Sequence, residues 1–345
     1  MKIAPNNNIT DKNLDFRLML KVALNSEVSD TKLISLEVKD STIVIEDKKN
    51  DSESGLDMDF EIERDDKDDS NICTLTIWNL SEETFNQIQG KSNLFNLYYA
   101  RGDNDWTLLF SGVPYFATQE EAIGGNNDSK GFLKRDDAVG GENDIPTIIY
   151  LSETLNKYES TYISKSYQGS VSTEKIIQDC ADTLGFPLNI AKEIKHVQVN
   201  NYVARGLVSD VLSDIVNNRL ETVGVFDEIG EPKLTYDNNN VNIFVVGGGQ
   251  FGGIRLYNES SENAYIQEEV FGYLFNDKNS TKPVKIQSDE EELYRFKTQL
   301  LPAITIGNYC KCDFSNVKGA KQIRKIVSVG NNYGTEGETE VTISV

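Results

Sequence analysis

Apolar residues at every second position, in short runs cut by polar turns, limit this 345-residue chain more than any other feature. Phe16, Leu18, Leu20 and Val22 fall on one side of an extended segment, and the same period recurs over Leu33 to Val38, Thr42 to Ile45 and Cys73 to Ile77. A period of two sends one face of a pleated strand into a core and the other into water. These runs therefore predict half-buried strands. Leu94 to Ala100 and Trp106 to Phe110 predict a hairpin across the turn-forming Arg101–Asp105. After the Cys73 strand, Ser81 is placed to cap a short helix whose first turn holds Glu82 and Glu83 and which Gly90 can end.

Two stretches lack that period. Glu46 to Ser70 holds 12 acidic and 4 basic residues and reads as a solvated loop around a short Met58-Phe60-Ile62 strand. Gln119 to Pro146 is rich in Gly, Asn and Asp, which predicts an insertion or mobile loop. Thr147 to Tyr150 and Thr161 to Tyr167 then read as strands that rejoin the first unit.

The character changes at Ser172. Ile176, Ile177, Cys180, Ala181 and Leu184 recur at helical spacing behind a Ser172/Thr173 cap, and Gly185 with Pro187 ends the run. Leu207 to Leu220 predicts a second helix, with a strand around His196 to Val203 between the two and another over Val241 to Val246. From Tyr265 the strand pattern returns, through Leu293 to Leu300, Tyr309 to Phe314, Ile323 to Val329 and Glu340 to Val345. The expected fold class is mainly β with α+β character. It comprises a β domain over 1–168 with an inserted loop at 119–146, a small α/β domain over 169–262, and a β domain over 263–345.

A hydrophobic share of 38% and no run long enough for a membrane helix predict a folded chain without a membrane partner. The first residues lack a basic segment followed by an apolar one, so a cytoplasmic start is expected. Reduced thiols are expected for Cys73, Cys180, Cys310 and Cys312. The net charge of −21 argues against gripping nucleic-acid phosphates, although an acidic wall can let DNA pass without holding it.

Site signals are sparse. Gly247-Gly-Gly249-Gln-Phe-Gly252 spells a dinucleotide fingerprint, but the residues after it read as strand, where a pyrophosphate site needs a helix N-terminus. Cys310 and Cys312 share one face of a strand, yet a structural zinc site takes four ligands and the chain has one histidine, His196. That histidine has no nucleophile motif beside it. Asp65-Asp66-Lys-Asp68-Asp69 lacks the glycine and closing glutamate of a calcium loop. No catalytic residue, cofactor or metal site is expected. Lys318, Lys321, Arg324 and Lys325 form the basic cluster of the chain, which reads either as a solvated face or as an inter-subunit contact with an acidic neighbour.

Taken in order, several segments resemble the central hub proteins of contractile phage tails, of the Mu-like kind. Cys73-Thr-Leu-Thr-Ile-Trp-Asn-Leu-Ser81 looks like the strand and "YNLS" turn near their start, and Phe110-Ser-Gly112 like their "F-x-G" strand end. Tyr167-Gln-Gly169-Ser-Val-Ser172 is similar to the approach to their middle α/β domain. Leu300-Leu-Pro302 through Ile306-Gly307 resembles the start of their last barrel. The resemblance spans about residues 70 to 345. The acidic stretch near Glu46 and the loop Gln119 to Pro146 depart from it.

This resemblance implies a non-enzymatic baseplate hub in a phage virion or a phage-like contractile injection particle, assembled in the host cytoplasm. It implies two tube-type β-barrel domains flanking the α/β domain, a homotrimer with a pseudo-sixfold ring, and a lumen that passes DNA or effector. The implied partners are the tail tube protein, the central spike protein and other baseplate proteins. A carbohydrate-binding or glycan-degrading tail protein is the alternative, since aromatic and paired-acid surfaces would serve it. A tail-tube subunit would leave the α/β domain without a role.

Overall fold

The computed structural model describes residues 16–24, 42–46, 56–66, 71–88, 93–101, 106–115, 133–135, 146–153, 160–222, 232–237, 240–245, 251–258, 264–270, 273–277, 281, 283–286, 292–301, 304–314, 317–331 and 337–344. The chain is mainly β. One sheet system links sixteen strands, and four sheets of two or three strands lie apart from it. No helix among the described residues is long and apolar enough to cross a membrane.

Alternation explains the first part of the sheet. Thr42–Glu46, Phe16–Ala23, Leu94–Arg101, Thr107–Pro114, Pro146–Ser152, Ile72–Trp78 and Met58–Asp65 lie side by side in that order. Leu18, Leu20 and Val22 are fully buried, as are Leu75, Ile77 and Leu97, and they meet in one core. The helix Glu82–Ile88 starts where Ser81 Oγ accepts the Thr84 N–H at 3.1 Å, and it puts Ile88 into the same core.

The Gly/Asn/Asp-rich segment departs from its expected form. Leu133–Arg135 is a strand, antiparallel to Thr147–Ile149. Three residues are too few to show a period, so ladder hydrogen bonds place a strand that alternation cannot announce. The remainder of Gln119 to Asp144 lies outside the described residues, as do Leu33 to Val38 and Gly90.

A second core lies between the helices Thr173–Leu184 and Val208–Arg219 and their strands. The Ser172 hydroxyl accepts the Glu174 N–H at 3.2 Å, and Gly185 closes the first helix at φ 71°. Ile176, Ile177, Cys180, Ala181 and Leu184 are buried, as their spacing predicts. The strand expected between the helices is two short ones, Gln198–Asn200 and Val203–Leu207, broken where Asn201 takes φ 52°.

Two strands sit elsewhere than the sequence reading placed them. Tyr162–Ser166 does not rejoin the first sheet; it pairs with Val203–Leu207, and Ile163 enters the helical core. Phe251–Asn258, expected within the α/β region, runs parallel to Tyr309–Asp313 in the C-terminal sheet. A period of two reports which side of a strand is buried but carries no information on its neighbour.

A third core gathers Phe296, Ile306, Cys310, Cys312, Ile323 and Ile343. The strand Asn240–Val245 serves two cores at once. Val241, Ile243 and Val245 point into the helical core, and Phe244 points into the C-terminal one. There the Phe244 ring rests on Gly307, where a Cβ would lie 2.5 Å from it.

Candidate assembly site

Part of the acidic segment lies in the middle of the main sheet. Far from being a short strand in a solvated loop, Met58–Asp65 is an eight-residue central strand between Ile72–Trp78 and Lys318–Asn331. Met58, Phe60, Ile62 and Arg64 are buried, which leaves Asp59, Glu61, Glu63 and Asp65 on the opposite face. The charge masks the strand's length and its central place because every outward position is a carboxylate.

Lys318–Asn331 changes partner along its length. Lys318 to Gln322 pairs with Tyr309–Asp313 in the C-terminal sheet, whereas Lys325 to Asn331 pairs with Asp59 to Asp65. Ile323 to Val329 also pairs with the strand Glu338–Ser344. A register shift between Ile323 and Lys325 marks a bulge at Arg324. An extra residue upsets alternation. Gln322 and Ile323 are consecutively buried, and Arg324 and Lys325 are consecutively only partly exposed. Both cations thereby reach the acidic strand: Arg324 Nε pairs with Asp66 Oδ2, and Lys325 Nζ with Glu63 Oε1. At the other end Gly330 lies under the Phe60 ring, where a Cβ would meet it at 2.9 Å.

Buried polar groups tie this seam to the helical unit. Arg64 Nη2 lies 3.8 Å from Glu153 Oε1, and both side chains are almost wholly enclosed. Asn71 donates to Glu153 Oε2 at 2.8 Å and to the Tyr236 carbonyl at 2.7 Å. On the C-terminal side Gln322 donates to the carbonyls of Val245 at 2.8 Å and Gly307 at 2.9 Å. Interior polar groups are costly unless paired, so each contact constrains how the units sit.

The basic cluster is thus split. Arg324 and Lys325 have carboxylate partners within the chain, Lys321 is half-buried opposite Cys310, and Lys318 is exposed. Spacing pointed to the cluster, but the carboxylates that receive it lie about 260 positions away and no local signal reveals them.

The other singled-out residues sit as follows. Gly247 to Gly249 lie outside the described residues, but Phe251–Asn258 is strand, so no helix N-terminus opens at Gly252. Cys310 and Cys312 are buried with sulfurs 3.8 Å apart. Their mutual hydrogen bond, with burial, holds the Cys310 thiol well above its ordinary range. His196 Nδ1 is 3.4 Å from Thr173 Oγ1, inside the helical unit. Among the described residues no group of three or more His, Cys, Asp or Glu could hold a metal ion. All four cysteines are free.

Asp179 is a charged group that the sequence reading missed. Burial alone would raise its pKa, but hydrogen bonds from Lys175, Lys165 and Tyr167 outweigh that and bring it down to about 2. The contacts are 2.8, 2.9 and 2.8 Å long. An Asp among helical apolar positions with Lys four residues before it is the local signal that could have found it.

No protein-family model matches the chain, and no curated protein matches it. Solved structures resemble it in fold. A 43 kDa tail protein of prophage MuSo2 from Shewanella oneidensis has 9% identity and a TM-score of 0.47, covering 84% of this chain and 97% of that one. A tail protein from Neisseria meningitidis MC58 has 7% identity and a TM-score of 0.47, with 95% and 96% covered. The Escherichia coli c3393 protein, a type VI secretion component described as similar to T4 tail proteins gp27 and gp5, has 10% identity and a TM-score of 0.45, with 86% and 75% covered. At such values the function has to be argued from this chain's own residues.

Proposed function

We propose that the chain is a structural, non-enzymatic hub of a phage tail baseplate or a phage-like contractile injection particle. In this reading its two β units are tube-type barrels. Three copies close into a ring that joins the tail tube protein to the central spike protein, and DNA or effector passes through the lumen. The observation that carries it is the seam between Met58–Asp65 and Lys318–Asn331, which joins an N-terminal and a C-terminal β unit strand to strand. A ring of alternating β units needs a junction of that kind at every step, and open strand edges are the means of forming it between chains. The sequence resemblance to hub proteins supports the same reading. Arg324 and Lys325 serve the junction inside the chain, and exposed Lys318 is the member best placed to meet an acidic neighbouring chain.

Light scattering and negative-stain images of the full chain test this reading. The expected result is a particle of three chains with a ring outline, alone or with a spike protein. A stable monomer at high concentration under both conditions would overturn it, and specific glycan binding or release by the monomer would favour the carbohydrate alternative.

A further inference from the structure

We propose that Cys310 and Cys312 form a two-thiolate site for a soft monovalent cation, with Cu(I) as the representative ion. The two residues alternate on the strand Tyr309–Asp313, so both side chains point into the C-terminal core. Their sulfurs lie 3.8 Å apart, with Cys310 fully buried and Cys312 5% exposed. A structural zinc ion asks for four ligands, which the described residues do not gather. Soft thiolate ligands instead select Cu(I), an ion that two sulfurs can satisfy.

The geometry favours an ion over a disulfide. Two metal–sulfur bonds of about 2.3 Å span about 4.6 Å in the linear arrangement that two-coordinate Cu(I) prefers, so the sulfurs need to part by somewhat under about 1 Å to take the ion. A disulfide would need the sulfurs to close to about 2.05 Å. Residues two apart on a strand also have Cα atoms about 6.6 Å apart, at the far end of the range that a disulfide tolerates.

Binding converts two thiols and one Cu(I) into a bis-thiolate anion, releasing two protons with no change of oxidation state. That anion carries one negative charge in an apolar core, where an uncompensated charge is costly. Lys321 answers it. It stands directly opposite Cys310 on the paired strand, which puts both side chains on the same face of the sheet. Lys321 is a positioning residue for the site and no ligand of it.

The experiment uses the full chain, anaerobic and reduced, titrated with Cu(I) against a chromophoric Cu(I) chelator. Native mass spectrometry reads the product. The expected result is one copper per chain, held against the chelator. Cys310→Ser and Cys312→Ser should each abolish retention, the double variant Cys73→Ser/Cys180→Ser should keep it, and Lys321→Gln should weaken it by about tenfold. X-ray absorption at the copper of the unaltered chain, expected to show two sulfur neighbours, keeps the test valid if a variant fails to fold; nitrogen or oxygen neighbours in their place would overturn the proposal. Retention no better than the chelator background would overturn the proposal. So would copper retention that survives in the double variant Cys310→Ser/Cys312→Ser, or a copper-free product lighter by two hydrogens.

Discussion

The side-chain amide of Asn71 donates to the main-chain carbonyl of Tyr236 at 2.7 Å across 165 positions of sequence, and its second N–H goes to Glu153. One neutral side chain thus joins the first sheet to the helical unit. Asn71→Leu should leave a buried carboxylate oxygen and a buried carbonyl short of a donor, a loss of about 1–3 kcal/mol. Chemical denaturation of the variant measures it. A change below about 0.5 kcal/mol would mean that water replaces both bonds.

Asp179 predicts an acid-sensitive helical unit. Its folded pKa of about 2 lies below the value of about 3.9 expected in an unfolded chain. The stabilisation is therefore complete above the unfolded value and is lost as pH falls from about 4 towards 2. Asp179→Asn should flatten that part of the stability profile in thermal melts, and an unchanged slope would remove Asp179 as its source.

The two ion pairs of the seam should differ in strength. Lys325 and Glu63 remain 41% and 37% exposed, whereas Arg324 and Asp66 are 14% and 15% exposed. Solvent screens the first, for which a double-mutant cycle should give about 0.2–1 kcal/mol of coupling. The more enclosed Arg324–Asp66 pair should give the larger coupling and the smaller salt dependence. Equal values would contradict that ranking.

Two glycines allow a matched comparison. Gly307 and Gly169 both take positive φ, at 83° and 73°, but a Cβ on Gly307 would meet the Phe244 ring and one on Gly169 would meet nothing within 4 Å. Gly169→Ala should cost about 1–2 kcal/mol for the backbone alone. Gly307→Ala should add about 1–3 kcal/mol of overpacking. Similar melting temperatures for the two variants would show that the Phe244 ring moves aside freely.

Most strands were legible in the sequence, because Leu18, Leu20, Val22, Leu75 and Ile77 mark a buried face by their spacing alone. Their neighbours were not. Tyr162–Ser166 and Phe251–Asn258 carry good strand signals, yet each pairs away from the unit in which its position suggested it lay. Met58–Asp65 was legible only as a short strand at Met58, Phe60 and Ile62, because its four outward carboxylates made its surroundings read as a solvated loop. The basic cluster was visible at Lys318 to Lys325, but its meaning came from Glu63 and Asp66, which only the folded chain brings near.

The seam also sets an order of events during synthesis. Lys325 reaches Glu63 across 262 positions, so the edge of Met58–Asp65 that receives it emerges long before its partner. Until residues 318–331 leave the ribosome, that edge is a template which another nascent copy could occupy. Asp59, Glu61, Glu63 and Asp65 then act as a guard: identical acidic edges repel one another, and the late-arriving strand that carries Arg324 and Lys325 is attracted. The same carboxylates that disguise the strand in the sequence keep its place vacant for the proper end of its own chain.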